Sequence, residues 1–269
     1  MEQLKTKRLS IVPTLRCTLN CELCSNHMPE FKNPHDAPVE NIKRDIDSLF
    51  ALFDKIEWLQ FVGGEIFLHK DMAQVYEHCR SHAAKFDRLI IETNATLLPR
   101  EDEITVLKKY GATCKIMISD YGPLSTKRDK IIEILQETGI EIVQKKYYGD
   151  DQHFGGWIEN TGLRDYGEPD HVVAEKAAGC AQVRLENMHC FHGKLHRCSN
   201  SLFMTELGLF EPNEKDYLDL YDNNLSVSEK RNVIRDFYKT PRKSCRFCTW
   251  KDGVDAKRFP AAGQKRRLP

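Results

Sequence analysis

The sequence predicts an α/β fold built around a parallel sheet, and two observations lead to that prediction. Short apolar runs alternate with segments of helical apolar spacing up to about residue 150. This β-α-β-α rhythm is typical of parallel strands joined by right-handed crossovers. The chain has 269 residues, and a full eight-fold barrel would use about 250 of them. The sheet is therefore expected to form only a partial barrel, which leaves room for a C-terminal extension.

Each predicted element rests on a local pattern. Apolar runs predict strands at residues 9–15, 58–62, 88–93, 115–119 and 141–145. A helix is expected from Val39, because apolar residues then recur at helical spacing as far as Phe53. Further helices are predicted near residues 71–84 and after a cap at Ser125 or Thr126, the latter ending at Gly139.

The rhythm fades in the second half of the chain. Residues 150–168 are rich in glycine, aspartate and aromatic residues and are expected to form a loop. Residues 188–198 predict a hairpin that turns at Gly193, and a capping box at residues 226–229 predicts a short helix. The chain is therefore divided into a barrel domain and a smaller α+β domain, residues 1–165 and 166–269.

Composition limits the classes of function. Forty basic and forty acidic side chains cancel, which argues against nucleic-acid binding through phosphate contacts. No apolar run approaches the roughly 18 residues that span a bilayer, and the charged N-terminus lacks the apolar core of a secretory signal. We therefore expect a cytoplasmic protein without membrane partners, in which ten cysteines favour metal binding over disulfides.

Three cysteines follow the first predicted strand at the spacing Cys-x3-Cys-x2-Cys, namely Cys17, Cys21 and Cys24. Three thiolates close together can hold three irons of a [4Fe–4S] cube and leave the fourth iron open to a small molecule. The alternative is a structural zinc ion, which needs four ligands, and His27 is the only nearby candidate for the fourth.

This arrangement resembles the radical S-adenosylmethionine (radical SAM) superfamily, whose fold is a partial (β/α)6, TIM-like barrel. Gly63-Gly64-Glu65 after the second strand resembles the family's segment that contacts the amino group of SAM. Thr93-Asn94 resembles the family's Thr-Asn-Gly, although Ala95 replaces the glycine, and Leu23 stands where an aromatic residue is more common. Ser119 ends the fourth strand, where the family often has a contact to the ribose or carboxylate. The resemblance implies that SAM is bound by Gly63, Gly64, Glu65, Asn94 and Ser119.

Four further cysteines lie in the second half of the chain, at Cys180, Cys198, Cys245 and Cys248. Their pattern resembles the twitch domain, the shorter relative of the SPASM domain, in which such cysteines hold one auxiliary [4Fe–4S] cluster. An all-thiolate zinc site is the alternative, and Cys190 is an alternative ligand to Cys180. Cys79 and Cys114 are expected to be small buried hydrophobic residues.

Other polar and aromatic residues also carry predictions. His189, His192 and His196 are expected at partly exposed strand positions with structural or solvated roles. A short basic tail at residues 257–269 is expected to be solvated. Tyr121 and Trp157, in the loops after the fourth and fifth strands, are expected to line the pocket.

The resemblance implies an enzyme that uses two [4Fe–4S] clusters and SAM. SAM is cleaved reductively to a 5′-deoxyadenosyl radical, which abstracts hydrogen from the substrate. One auxiliary cluster on a short chain resembles the aminocyclitol dehydrogenases. That likeness implies two-electron oxidation of an alcohol on a small polar substrate, sugar-like or otherwise, with the auxiliary cluster as electron acceptor. A flavodoxin or ferredoxin is the expected reductant.

Two alternatives remain at this stage. One is a radical SAM maturase or epimerase that acts on a ribosomal peptide. The other is a non-enzymatic protein, either stabilised by zinc or carrying electrons, but this alternative leaves Gly63-Gly64-Glu65 and Asn94 unexplained. The sequence identifies no catalytic acid or base.

Overall fold

The computed structural model describes residues 2–249 and 256–265. Within them the strands are β1 (Lys5–Ile11), β2 (Lys55–Phe61), β3 (Phe86–Thr93), β4 (Cys114–Asp120), β5 (Glu141–Lys146), β6 (Asn187–Phe191), β7 (Lys194–His196) and β8 (Tyr217–Asp219). The α-helices are α1 (Val39–Leu52), α2 (Met72–Arg80), α3 (Glu101–Lys108), α4 (Arg128–Leu135), α5 (Asp170–Ala178), α6 (Ala181–Leu185), α7 (Ser199–Glu206) and α8 (Val227–Arg235). No helix in these residues has the length and hydrophobicity needed to cross a bilayer.

All of these strands belong to one sheet, in the order β5-β4-β3-β2-β1-β6-β7-β8. The strands from β5 to β6 are parallel to their neighbours. β7 and β8 continue the sheet with antiparallel pairing. Six parallel strands joined through helices form an open, partial barrel, so the predicted α/β fold class is confirmed.

Strand β6 has two partners, and only one of them follows from the sequence. The predicted hairpin exists, because β6 pairs with β7 and the chain turns at Gly193, which has a φ of +77°. β6 also pairs with β1, with His189 opposite Ser10, and thereby becomes the sixth parallel strand. The sheet therefore crosses residue 165, and the division of the chain there stays a prediction.

Two local predictions differ from the structure. β1 covers Lys5–Ile11 and not residues 9–15, because Pro13 has no N–H to donate to a neighbouring strand. Helix α3 was not predicted, since it is short and its exposed face is charged. Its first turn is held by the Glu103 carboxylate, which accepts the backbone N–H of Arg100 at 2.7 Å.

Alternation along the strands gives the barrel two different faces. Leu9 and Ile11 of β1 point outward into the core that α1 covers, whereas Ser10 faces the interior. Gln60 of β2 and Glu92 of β3 face the same interior. Strands of a parallel sheet are normally apolar on both faces, so polar side chains at these alternate positions indicate an interior suited to polar ligands.

Candidate active site

The first cysteine group, defined as Cys17, Cys21 and Cys24, lies on the loop that follows β1. All three residues line a cavity of about 690 Å³ at the carboxyl ends of the parallel strands, where such sheets usually bind their ligands. We call this space the outer cavity. Its volume is that of a pocket for a molecule of nucleoside size.

Each sulfur of the first cysteine group has a hydrogen-bond donor. The Asn94 side-chain amide lies 3.6 Å from Cys17 Sγ, and the Gln264 amide donates to Cys21 Sγ at 3.2 Å. Backbone N–H groups after Cys24 donate to its sulfur. Donors of this kind stabilise thiolates that ligate metal. The donor set therefore fits an anionic metal–thiolate group.

Sulfur spacing distinguishes an iron–sulfur cube from a single zinc ion. Zinc–sulfur bonds of about 2.3 Å in a tetrahedron place the sulfurs about 3.8 Å apart. Among the described cysteines, no three sulfur atoms in either cysteine group lie within 4.8 Å of one another. In a cube each thiolate would bind a different iron and the sulfurs would lie further apart, so this spacing is compatible with a cube.

Burial favours the protonated form of the thiols in the first cysteine group. It raises the pKa of Cys17 to about 11 and that of Cys21 to about 12. The free thiols are therefore neutral near pH 7, and metal binding must displace their protons. Because the thiolate and not the thiol is the reactive form of cysteine, these residues are unreactive as nucleophiles until a cluster is assembled.

The diglycine after β2 packs against the cysteine loop. A Cβ atom on Gly64 would lie 1.8 Å from the carbonyl oxygen of Arg16, and one on Gly63 would lie 2.6 Å from that of Thr14. The Gly64 N–H donates to Thr14 O at 3.1 Å, and the Asn26 side chain donates to Gly63 O at 2.8 Å. Only glycine permits this approach. Both glycines also line the outer cavity, and their predicted contact with SAM stays a prediction.

Glu65 is fully buried and is not among the residues that line the outer cavity. Its carboxylate accepts hydrogen bonds from Thr93 Oγ1 and the Asn94 N–H, both at 2.8 Å, and from the Phe67 N–H at 3.2 Å. The contacts that the structure gives Glu65 thus hold the end of β3 in place. Its direct contact with SAM stays a prediction.

Glu65 makes stability depend on pH. Burial raises the pKa of its carboxyl from 4.5 to about 7. Because the folded-state pKa lies above the unfolded one, folding favours the protonated form, and stability falls as pH rises from 4.5 to about 7. The loss is on the order of 3 kcal/mol. Glu65→Gln removes this titration. We therefore expect the melting temperature of the variant to rise relative to that of the wild type as the pH increases across this interval.

Differential scanning calorimetry at several pH values checks this. Glu57→Gln is the matched control, because Glu57 is an exposed residue of the same strand, β2. A Glu65→Gln difference that stays constant with pH would contradict the assignment of the buried titration to Glu65.

Asn94 and Ser119 lie where the resemblance implies, at the ends of β3 and β4, and both line the outer cavity. The Asn94 amide nitrogen also donates to Thr18 Oγ1 at 3.1 Å, which joins β3 to the cysteine loop. Ala95, at the position of the family's glycine, adopts a φ of +56°. The backbone therefore keeps the left-handed conformation that favours glycine, although alanine occupies the position.

Aromatic residues close one side of the outer cavity. Tyr121 stacks on Tyr147 with ring centroids 5.5 Å apart, and Trp157 meets Tyr121 edge-on at 5.7 Å. All three line the cavity, which agrees with the prediction for Tyr121 and Trp157. The cluster forms an aromatic wall on this side of the cavity.

The second cysteine group, defined as Cys180, Cys198, Cys245 and Cys248, is brought together from α5–α7 and the segment after α8. All four line a second cavity of about 310 Å³, which we call the inner cavity. Cys248 Sγ accepts from the Asn200 amide at 3.2 Å, and Cys198 Sγ from the Ser201 N–H at 3.4 Å. Four converging thiols with N–H donors fit a fully ligated cluster, whose presence stays a prediction.

Cys190 lies elsewhere. It is fully buried on β6 and interacts with Asp45, away from the inner cavity. It is therefore unsuited to replace Cys180 as a ligand. Cys79 and Cys114 are also fully buried, as expected of small hydrophobic residues.

The two cavities adjoin and share Ser25, Asn26, Glu92, Ile158, Asn160 and Gln182 as lining residues. Polar groups in this region lack partners. Gln60 Oε1 and His189 Nδ1 are buried without a hydrogen bond, and no hydrogen bond or ion pair of the described residues reaches the Glu92 carboxylate. Unpaired buried polar atoms are costly, so these groups indicate a site for a polar ligand.

The sequence analysis missed Gln60 and Glu92 and judged His189 incorrectly. His189 and His196 are buried and not partly exposed, because the strands that carry them, β6 and β7, each have a neighbouring strand on both sides. Burial lowers the pKa of His189 to about 4, so its ring is neutral near pH 7. These residues could have been found from the recurrence of polar residues at every second position of strands that are otherwise apolar.

The structure agrees only in part with the prediction of a solvated basic tail at residues 257–269. Lys265 forms an ion pair with Glu30, and its backbone N–H donates to Asn20 O at 2.7 Å. This part of the tail is therefore packed on the cysteine loop, with the Lys265 side chain still partly exposed, whereas Lys257 and Arg258 are exposed as expected. Arg266 and Arg267 lie outside the described residues.

Comparison with known proteins identifies one family. Residues 11–123 match the model described as the Radical SAM superfamily. No curated protein matches the chain. Among solved structures, BtrN in complex with AdoMet and 2-DOIA is 16% identical over 93% of this chain and 94% of its own, with a TM-score of 0.56. The anSMEcpe structure with bound AdoMet is 13% identical over 86% of this chain and 83% of its own, with a TM-score of 0.50.

SuiB from Streptococcus suis, bound to the precursor peptide SuiA, is 19% identical over 56% of this chain, with a TM-score of 0.41. The match covers 35% of SuiB, so this chain spans about a third of that protein's length. At these identities the likeness to BtrN and anSMEcpe supports a shared fold.

Proposed function

Because residues 11–123 match the Radical SAM superfamily, we propose that this protein oxidises a hydroxyl group of a small polar, sugar-like substrate by two electrons. The first cysteine group would hold a SAM-binding [4Fe–4S] cluster, and the second group an auxiliary [4Fe–4S] cluster. When bound, SAM and these clusters would supply hydrogen-atom abstraction and an acceptor for the remaining electron.

The single observation that carries this proposal is the pair of adjoining cavities. The outer cavity contains the first cysteine group and the inner cavity contains the second. A substrate held where they meet lies next to both groups. Oxidation of an alcohol removes one hydrogen atom, one proton and one electron, and this arrangement provides a separate destination for each.

Glu92 is the residue best placed to accept the proton. It lines both cavities, and no hydrogen bond or ion pair among the described residues reaches its carboxylate. Burial raises the pKa of this carboxyl, although the charges of Lys145 and Arg8 act in the opposite direction, and a higher pKa makes the carboxylate a stronger base. Gln60 and neutral His189 are positioned to bond further hydroxyl groups. Tyr121 and Trp157 shield the site from water.

Substrate mass tests the proposal. Oxygen-free, reduced protein is incubated with SAM and fractionated metabolite extract, and 5′-deoxyadenosine is measured together with all mass changes. We expect one small molecule to lose two hydrogens for each 5′-deoxyadenosine formed. An unchanged substrate mass with incorporation of solvent deuterium would indicate epimerisation, and modification of a peptide would indicate a maturase. Either result would overturn the proposal.

The auxiliary role of the second cysteine group gives a further prediction. Cys245→Ala is expected to reduce the iron content from about eight to about four atoms per chain. SAM cleavage is expected to persist, whereas oxidised product should fall at least tenfold. Iron analysis and the ratio of product to 5′-deoxyadenosine measure both effects.

Cys190→Ala is the matched control, because Cys190 is a fully buried cysteine that does not line the inner cavity. It should keep the full iron content and a product ratio near that of wild type. Normal product formation by Cys245→Ala would show that the second group is not the electron acceptor.

The proposal also includes an electron-donor protein and a cytoplasmic location. A flavodoxin or ferredoxin would deliver the electron that starts each turnover, and such donors operate in the cytoplasm. Reduction of the protein by a purified flavodoxin system, followed by 5′-deoxyadenosine formation, tests this directly.

A further inference from the structure

The C-terminal strap, defined as residues 259–265, lies along the cysteine loop. Gln264 forms an antiparallel bridge with Cys21, and the Glu22 N–H donates to Gly263 O. The Lys265 N–H donates to Asn20 O at 2.7 Å. The strap thus behaves as a short added strand whose partner is the loop that carries the first cysteine group.

The side chain of Gln264 is held in one orientation. Its Oε1 accepts the Asn20 N–H at 2.8 Å, while its Nε2 donates to Cys21 Sγ at 3.2 Å and to Ala262 O at 2.8 Å. A reversed amide would place its NH2 group against the Asn20 N–H and its oxygen against Ala262 O. Both contacts would be repulsive, so the network fixes the N–H toward the sulfur.

The other end of the strap is anchored beside the outer cavity. Trp157 and Phe259 exchange two backbone hydrogen bonds, of 2.9 and 2.8 Å. A Cβ on Gly156 would lie 2.4 Å from Phe259 O, so the two segments are in close contact. The strap therefore joins the loop that carries Trp157 to the loop that carries Cys21, and its position is fixed at both ends.

We propose that Gln264 is a positioning residue for the cluster on the first cysteine group, and that its amide donates to the Cys21 thiolate and raises the reduction potential of that cluster. The inference rests on the proposed function, in which Cys17, Cys21 and Cys24 hold a [4Fe–4S] cluster. Hydrogen bonds to ligating sulfurs stabilise the reduced, more negative state and are one of the main determinants of cluster potential. Removal of the donor makes the cluster harder to reduce.

The experiment compares cluster potentials. Wild type, Gln264→Leu and Gln264→Glu are assembled without oxygen, and the SAM-sensitive signal is followed by electron paramagnetic resonance during a redox titration. Gln264→Glu tests the hydrogen bond to the sulfur more specifically. A carboxylate oxygen can still accept the Asn20 N–H, but the side chain no longer donates to Cys21 Sγ. We expect the midpoint potential to become more negative in both variants, with the larger shift for glutamate, whose charge also faces the thiolate.

Gln74→Leu is the matched control, since the Gln74 side chain bonds only to Asp71 on an exposed part of α2. It should leave the potential unchanged. Selective loss of the SAM-sensitive cluster in both Gln264 variants, with the control intact, would also support the positioning role. Equal potentials and equal iron content in wild type, Gln264→Leu and Gln264→Glu would overturn the inference while leaving the proposed function in place. Wild-type protein without any SAM-sensitive cluster would overturn the proposed function itself.

Discussion

Cys17→Ala protein is expected to form no 5′-deoxyadenosine and to bind about four irons where the wild type binds about eight. The change removes one of three thiolates in the outer cavity and leaves Cys21 and Cys24. Two thiolates are insufficient to retain a cube. The second cysteine group lies on the inner cavity and shares no ligand with the first, so its cluster should persist. Iron and sulfide analysis and a SAM-cleavage assay measure both effects.

Cys79→Ala is the control for this variant. Cys79 is fully buried on α2 and lines neither cavity. Its truncation should cost about 1 kcal/mol of stability and leave iron content and SAM cleavage intact. SAM cleavage by Cys17→Ala at a rate near that of wild type would contradict the assignment of the first cysteine group.

The parts of the site that could be predicted from the sequence are those that depend only on short motifs and on their order along the chain. The spacing of Cys17, Cys21 and Cys24 is a property of one loop, and strand ends carry Gly63-Gly64, Asn94 and Ser119. In a parallel sheet these ends meet at one edge whatever the details of packing. The outer cavity could therefore be assembled from the order of the motifs alone.

Contacts between distant segments could not be predicted in this way. Gln264 and Cys21 are separated by 243 positions, and no periodicity links a C-terminal segment to an N-terminal loop. The pairing of β6 with β1 is of the same kind. Since β6 looks like one arm of a local hairpin, its second partner becomes visible only when the sheet is complete.

The position of Glu65 shows a different limit. Its place after two glycines predicts a contact with SAM, which stays a prediction, and the sequence alone does not show that its carboxylate accepts hydrogen bonds from Thr93, Asn94 and Phe67. A motif fixes the backbone position of a residue, whereas the direction of its side chain depends on the donors that surround it. Here Thr93, Asn94 and Phe67 supply those donors, and Glu65 thereby holds Thr93 and Asn94, which line the cavity, in place.

The diglycine provides the second prediction of large effect. A methyl group on Gly64 would lie 1.8 Å from the oxygen and 2.5 Å from the carbon of the Arg16 carbonyl. Both atoms are backbone, so no side-chain rotation relieves the overlap, and the residue that must move is next to Cys17. Gly64→Ala is therefore expected to lose on the order of 3 kcal/mol of stability and most of the iron of the first cluster.

Gly111→Ala separates this steric effect from the general cost of replacing glycine. Gly111 has a φ of +53°, and a Cβ atom added there would meet no atom of the described residues within 4 Å. Alanine at this position should therefore cost about 1–2 kcal/mol of backbone strain and leave the iron content whole. Iron analysis, sulfide analysis and calorimetry of the two variants side by side distinguish the effects. Because the predicted damage at Gly64 comes from contact with the cysteine loop, full iron and a melting temperature above that of Gly111→Ala would show that the two segments do not approach as closely as the structure indicates.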